Sequence, residues 1–395
     1  MSNDNLIQKI LKTANKISPD TIENYHWLHQ HPEIKFEEFD TSAYLENKLN
    51  TMGYSLQKSA GTGIIATIAG SQGGPTVALR ADIDALNVTE QTSLSFPSLS
   101  TGKMHACGHD AHMAMLIGAA KIIVENRDKI KGSVKLIFQP GEEGGAGAKR
   151  ICDEGHLNDV DCIFGIHVWM ELPAKTVLIK SGPLMAAADD FEIRILGKGG
   201  HAAQPHLNID PTAVAVDIYN QIQKIISREI DPQKSAVISV PYIKGSDAFN
   251  VIPDEVTMRG TARSFDPEIQ NYLIDRIKTI VEGCCLASRC TGTFSLLDES
   301  YPPVINSEKL VKNIAIYLPQ TEFKILKEDT PTMAAEDFSF YQRKVPGVFI
   351  FLGMKDEEKG IIYPHHHPKF RVNESVLETG TALYTLLGFY SSFVD

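Results

Sequence analysis

No stretch of the 395 residues is apolar for the roughly 18 positions a membrane-spanning helix needs, so no membrane span is expected. Positive charge is also short. Against 49 Asp and Glu stand 38 Lys and Arg, a net charge of −11, and the basic surface that nucleic acid or an anionic membrane would require is missing. Met1-Ser-Asn-Asp-Asn5 has neither a basic stretch nor a long apolar core, so no signal peptide is expected. Cysteine is sparse and irregular. The six thiols, at 107, 152, 162, 284, 285 and 290, form no disulfide framework, which suits a reducing, cytoplasmic compartment. Several catalytic signatures are absent too. There is no Gly-x-Ser-x-Gly elbow, and no Pro-Cys-x-x-Cys of the zinc deaminases. The Gly-rich stretch 141–147 lacks the Lys-Ser/Thr of a phosphate loop, and Lys198-Gly-Gly-His201 lacks the dinucleotide pattern. Internal repeats and low-complexity segments are not evident.

What is present fits roughly two domains. Apolar residues at helical spacing predict a helix over 5–17, a second over 20–30 ending before Pro32, and a third over 40–52. His29-Gln-His-Pro-Glu33 contains metal-binding residue types but reads as a helix end and turn. β-Branched and apolar runs at 63–69, 76–80, 134–138, 162–167 and 347–353 predict strands. Strands alternating with helices indicate an α/β fold, a mostly parallel, doubly wound sheet. Residues 184–294 read differently, as strand 190–196, helix 211–228, strands 236–244 and 255–263, a helix from Pro267, and strand 292–297. On that last helix Ile269, Leu273, Ile277, Ile280 and Cys284 share a face. The order βαββαβ predicts a ferredoxin-like domain inserted at 184–294 into a catalytic domain of 1–183 and 295–395.

The densest chemistry lies in Lys103-Met-His-Ala-Cys-Gly-His-Asp-Ala-His112, followed at once by the apolar Met113–Ala120. Cys107 and His109, two apart, would point to different faces of a helix but can meet one ion on a turn. Asp82 and Asp84, Glu142 and Glu143, and His167 all fall at predicted strand C-termini, where open α/β sheets bind ligands. Adjacent carboxylates repel unless a positive charge stands beside them. A metal resolves this for Glu142-Glu143 if one binds it and the other takes a proton from water. Thiolate, imidazole and carboxylate form the zinc-type donor set, and five or six such groups, counting the 365–367 histidines, exceed one structural zinc.

Met104-His-Ala-Cys-Gly-His-Asp-Ala-His112, Arg80-Ala-Asp-Ile-Asp-Ala-Leu86, Gln139-Pro-Gly-Glu-Glu-Gly144, Gly165-Ile-His-Val168, Gly199-Gly-His-Ala202 and His366-His-Pro-Lys-Phe370 resemble, in order over the whole chain, the aminoacylase/carboxypeptidase-type metallopeptidases. The branch resembled is that of the N-acyl-amino-acid, hippurate and auxin-conjugate amidohydrolases. This resemblance implies a subunit with two divalent ions (Zn, Mn, Co or Ni) and an inserted lid through which it dimerises. Cys107 would bridge the ions, His109 and His167 would hold one, Glu143 and His366 the other, and Glu142 would be the general base. His366 is chosen because it stands two before Pro368. Where many relatives carry a ligand histidine this chain has Asp82, and Asp84 would orient a ligand imidazole. His105, Asp110 and His112 would shape the turn, and Glu336-Asp337 would support the site. On the lid, His201 would stabilise the oxyanion, in the partner subunit's site, while Asn250 and Arg263 would grip the substrate carboxylate. The expected substrate is a small N-acyl amino acid. Alternatives are a dipeptidase on the same scaffold and a metal-binding protein that has lost catalysis.

Overall fold

The computed structural model describes residues 3–318, 321, 323–327 and 330–394; positions 1, 2, 319, 320, 322, 328, 329 and 395 of the expected catalytic domain lie outside this range. Two compact units are formed, one by Met1–Gly182, Ile305–Thr330 and Asp337–Asp395, the other by Pro183–Val304 and Pro331–Glu336. The first unit opens with α1 (Asn3–Gln30), α2 (Phe39–Thr51), β1 (Ser55–Ser59), β2 (Gly63–Ala69), β3 (Gln72–Asp82), α3 (His109–Glu125), β4 (Lys131–Gln139), β5 (Cys162–Pro173) and β6 (Thr176–Leu178). The second contains β7 (Asp189–Leu196), α4 (Pro211–Lys224), β8 (Ala236–Lys244), β9 (Glu255–Ser264), α5 (Pro267–Ala287) and β10 (Thr291–Leu296). The chain then returns to the first unit for β11 (Lys324–Leu326), β12 (Gly347–Lys355) and α6 (Leu377–Gly388).

Eight strands make one sheet in the order β1-β2-β4-β3-β5-β12-β6-β11. Its centre, β4-β3-β5-β12, is parallel, as the apolar runs of these strands require when both faces are covered. Helix α3 packs against α1, α6 and the sheet, and every residue from His109 to Ala120 is buried. The two helices expected at 5–17 and 20–30 are instead the single helix α1, with Pro19 inside it. Its buried face, Leu6, Ile10, Ala14, Ile17, Thr21, Asn24 and Leu28, crosses the proline without a break. Packing of that face against α3 and α6 outweighs the one hydrogen bond a proline removes.

In the second unit the sheet order is β8-β9-β7-β10, every pairing antiparallel, and α4 and α5 pack on one core with it. This is the ferredoxin-like arrangement. Both helices begin at an Asp-Pro pair, where Asp210 accepts the N–H of Thr212 and Asp266 that of Glu268. On α5 the buried face runs Leu273, Ile277, Ile280, Val281, Cys285, with the expected Ile269 and Cys284 half-buried against the same core. Steps of three and four residues keep these side chains over the sheet.

Candidate metal centre

The loop that carries Cys107 turns at Gly108, whose φ of +91° is open to glycine but strained for other residues. A side chain there would also meet Val168 Cγ2 at 2.5 Å. This left-handed residue caps α3, so Cys107 precedes the helix while His109 begins it, and both side chains are buried. Cys107 Sγ lies 3.5 Å from Nε2 of His167. His167 was expected at a strand end, yet β5 continues to Pro173. The neighbouring strand explains its position: β3 pairs with β5 only as far as Gly165, and His167 lies just beyond, paired with Phe351 of β12.

Hydrogen bonds assign the imidazoles. His109 Nδ1 is 2.8 Å from the main-chain oxygen of Asp84 and His167 Nδ1 is 2.6 Å from that of Val168, so both carry hydrogen on Nδ1 and offer the Nε2 lone pair. His112 differs. Val168 N–H donates to its Nε2 (2.9 Å) and its Nδ1 donates to Asp82 Oδ1 (2.6 Å), which uses both nitrogens. Burial opposes charging His109, but Asp82 and Asp84 outweigh it and hold its pKa up at about 10. For His167, burial and then His112 and His365 push the pKa well down.

Among the 365–367 histidines it is His366, at φ +65°, that meets the centre, with Nε2 3.2 Å from Glu143 Oε1. His365 sits against His167, Trp169 and Phe370, and its Nε2 accepts the Met170 N–H. His367 stacks on Tyr363 and accepts the N–H of Lys369.

Glu142 and Glu143 occupy a short turn in which Gly141, Gly144 and Ala146 are all left-handed. Asp84 clamps it from below, Oδ1 accepting the Glu142 N–H (3.1 Å) and Oδ2 the Glu143 N–H (2.9 Å). Asp84 therefore reaches His109 through its main-chain oxygen, its carboxylate standing 3.4 Å from Nδ1. Beneath the same end of the sheet, buried Arg80 donates to Asp82 (2.7 Å), Asp337 (3.0 Å) and Gln139 (2.8 Å). Asp337 also accepts the Ala148 N–H at 2.9 Å. Donor atoms of Cys107, Glu143 and His366 lie within 4.8 Å of one another, as do those of His109, Glu142 and Glu143, and those of Asp82, His109, His112 and His167. The expected lid residues are on the second unit. His201 pairs with Val251, and Asn250 O accepts the Ala202 N–H, so His201 and Asn250 are exposed neighbours. Arg263 Nη2 is 3.5 Å from Asp190, with Nη1 buried and without a hydrogen-bond partner.

Residues 78–388 match the family described as Peptidase family M20/M25/M40. The chain belongs to this family. It is 39% identical over 386 residues to thermostable carboxypeptidase 1 of Saccharolobus solfataricus, covering 97% of this chain and 98% of that one. IAA-amino acid hydrolase ILR1-like 5 of Arabidopsis thaliana is 41% identical over 367 residues, 91% and 84% of the two chains. N-acetyl-L-cysteine deacetylase of Bacillus subtilis is 38% identical over 384 residues, 94% and 89%. The solved YXEP protein of B. subtilis, titled a dinuclear metal binding peptidase from the M20 family, superposes with a TM-score of 0.82 at 34% identity, over 95% and 98% of the chains. The M20 chain is thus a metal-dependent hydrolase.

Its donor set suits the metals of that family. His109 Nε2 is buried and makes no hydrogen bond, and the buried Glu143 Oε1 meets only ion-pair rather than hydrogen-bonding geometry with His366 at 3.2 Å, so a cation shared between them would satisfy both. The anionic surroundings that raise the His109 pKa favour a divalent ion in place of a proton equally well. Sequence reasoning gave Asp337 a supporting place but missed that Arg80 and Gln139 link it to Asp82, although both flank the aspartates and glutamates of the recognised motifs. It also missed Glu38, which looks like one of several surface acids.

Proposed function

We propose that this M20 enzyme is an amidohydrolase that cleaves the amide of N-acyl amino acids or small amino-acid conjugates, with Glu142 as general base. The observation that carries the reading is the division of labour at the glutamate turn. Glu143 directs a buried oxygen onto the His366 imidazole and toward Cys107, whereas Glu142 is buried beside it on a separately clamped amide. Two divalent ions, of zinc, manganese, cobalt or nickel, would be held by Cys107, His109, Glu143, His167 and His366, with Cys107 supplying the thiolate. Such ions polarise a carbonyl oxygen and lower the pKa of water toward about 7. Glu142 takes a proton from the attacking water and delivers it to the departing nitrogen. Asp84 keeps both glutamates in register, and the His109 and His167 carbonyl contacts keep their Nε2 lone pairs facing inward.

His201 would stabilise the oxyanion from the second unit of a partner in a homodimer, and the lid residues Asn250 and Arg263 would grip the substrate carboxylate. Six free cysteines suit a cytoplasmic enzyme, and no helix among the described residues is long and apolar enough to cross a membrane. Relatives named as an N-acetylcysteine deacetylase and an IAA-amino acid hydrolase support the acyl substrate. The carboxypeptidase relative supports a peptide substrate as the second reading.

The test is a panel of N-acetyl- and N-benzoyl-amino acids beside dipeptides and N-blocked dipeptides, run on the wild type and on Glu142→Gln. Turnover of the acyl amino acids should dominate, and the variant should lose it by about 10³-fold with metal content unchanged. A variant turning over at the wild-type rate would remove Glu142 from the mechanism, and preference for peptides would favour the second reading.

A further inference from the structure

We propose that Glu38 is a positioning residue for the general base, holding the turn that carries Glu142 through the main-chain amide of Gly141. The inference rests on the role given to Glu142 above. Glu38 stands just before α2, far in sequence from the motifs, yet it is fully buried. Its Oε1 accepts the Gly141 N–H at 3.1 Å and its Oε2 accepts the Thr62 hydroxyl at 2.5 Å. With Asp84 on the next two amides, the consecutive N–H groups of Gly141, Glu142 and Glu143 all end on buried carboxylates. Residues 144 to 147 are Gly, Gly, Ala and Gly and offer these amides no side-chain acceptor.

The segment leading to Glu38 completes the seat. Phe36, left-handed at φ +62°, packs so closely under the turn that a Cβ on Gly141 would come within 2.5 Å of its ring, and one on Gly145 within 2.7 Å. Arg150, on the far side of the turn, lies over the same ring with its guanidinium carbon 3.7 Å from the centroid. Lys35 Nζ donates to the Gly144 oxygen at 3.1 Å. The turn is therefore gripped from one side by 35–38 and from the other by Asp84. Burial lifts the Glu38 carboxyl to about 7, against the pull of its Thr62 hydrogen bond. Its task accordingly depends on acceptor geometry rather than on a full negative charge. An amide of the same shape can do it, since Gln would accept from Gly141 through its oxygen and donate to Thr62 Oγ1 through its nitrogen.

The experiment compares Glu38→Ala, Glu38→Gln and Glu142→Gln on an N-acyl amino acid that the wild type hydrolyses, at saturating metal, with metal content and thermal midpoint measured for each. Glu38→Ala should lower kcat by about 10- to 100-fold while KM moves by less than about threefold. Glu38→Gln should keep kcat within about threefold of wild type, as a positioning role through shape predicts. A Glu38→Ala kcat near that of the wild type would overturn the proposal. So would a loss that tracks metal content and is restored by added metal, or a folded Glu38→Gln as impaired as Glu38→Ala. If Glu142→Gln itself remains active, the role of Glu142 fails rather than that of Glu38.

Discussion

His29 shows how a residue outside the donor set tethers the metal loop. Its Nδ1 is 2.7 Å from Asp110 Oδ2, next to His109, and its Nε2 is 3.5 Å from Glu90 Oε1, a distance beyond hydrogen-bonding geometry. Burial opposes a charge on the ring, but Asp110 and Glu90 outweigh it and raise the pKa from 6.5 to about 9. A folded-state pKa above the unfolded value stabilises most below the unfolded pKa and loses that benefit as pH rises through the folded one. The window is therefore pH 6.5 to about 9. The stability margin of the wild type over His29→Gln, from denaturant midpoints, should be fully present near pH 6 and shrink by on the order of 3 kcal/mol above pH 9. A margin that stays flat across that range would show the ring to be neutral throughout. In sequence this histidine belonged to a metal-like stretch that read as a helix end. The helix does end there, at Gln30, but the charge pairing depends on Asp110, 81 positions away.

The glutamate turn owes its form to small residues and to the two other segments that close on it, 35–38 and Asp84. Gly147 marks its tightest point, since a Cβ there would lie 1.7 Å from the Pro140 main-chain oxygen. Main chain cannot swing aside as a flexible side chain can, so Gly147→Ala must open the turn. We expect turnover to fall by roughly 10²-fold, with a thermal midpoint lowered to match about 1–3 kcal/mol of strain. Turnover and midpoint both at wild-type values would mean that the turn tolerates a wider conformation. The sequence signalled this element well through Gln139-Pro-Gly-Glu-Glu-Gly144, with a strand before it and acids at its tip. It gave no sign that 35–38 forms the seat, because contact across more than 100 residues leaves no local periodicity.

Across the molecule, buried carboxylates gather in the first unit, where Glu38, Asp82, Asp84, Glu142 and Asp337 are all within the protein interior. Divalent ions would offset their mutual repulsion, so binding should stabilise that unit selectively. Both tryptophans, Trp27 and Trp169, belong to it, which makes their fluorescence a report on this unit alone. Stripping the metal with a chelator should lower the fluorescence melting midpoint by about 5 °C, and adding back zinc or manganese should restore it. A midpoint indifferent to chelation, with metal loss confirmed by elemental analysis, would mean that the ions contribute nothing to folding.

The sequence by itself determined the elements and the kind of chemistry. Apolar periodicity marked the strands and helices, the βαββαβ order marked the ferredoxin-like unit, and thiol, imidazole and carboxylate marked a metal-dependent hydrolase. These are properties of residues a few positions apart, where side-chain type and spacing carry the information. Tertiary structure alone decided which atoms are brought together at that centre and what each one touches. Spacing to Pro368 singled out His366 among three consecutive histidines, but the fold is what turns it onto Glu143 while His365 packs on Trp169 and His367 stacks on Tyr363. His112 lies in the motif, yet Asp82 and Val168 occupy both its nitrogens. Glu38 lies outside every motif and reaches Gly141. Such assignments follow from how distant segments converge and exclude water, because burial and a partner's position determine which lone pair remains unmatched.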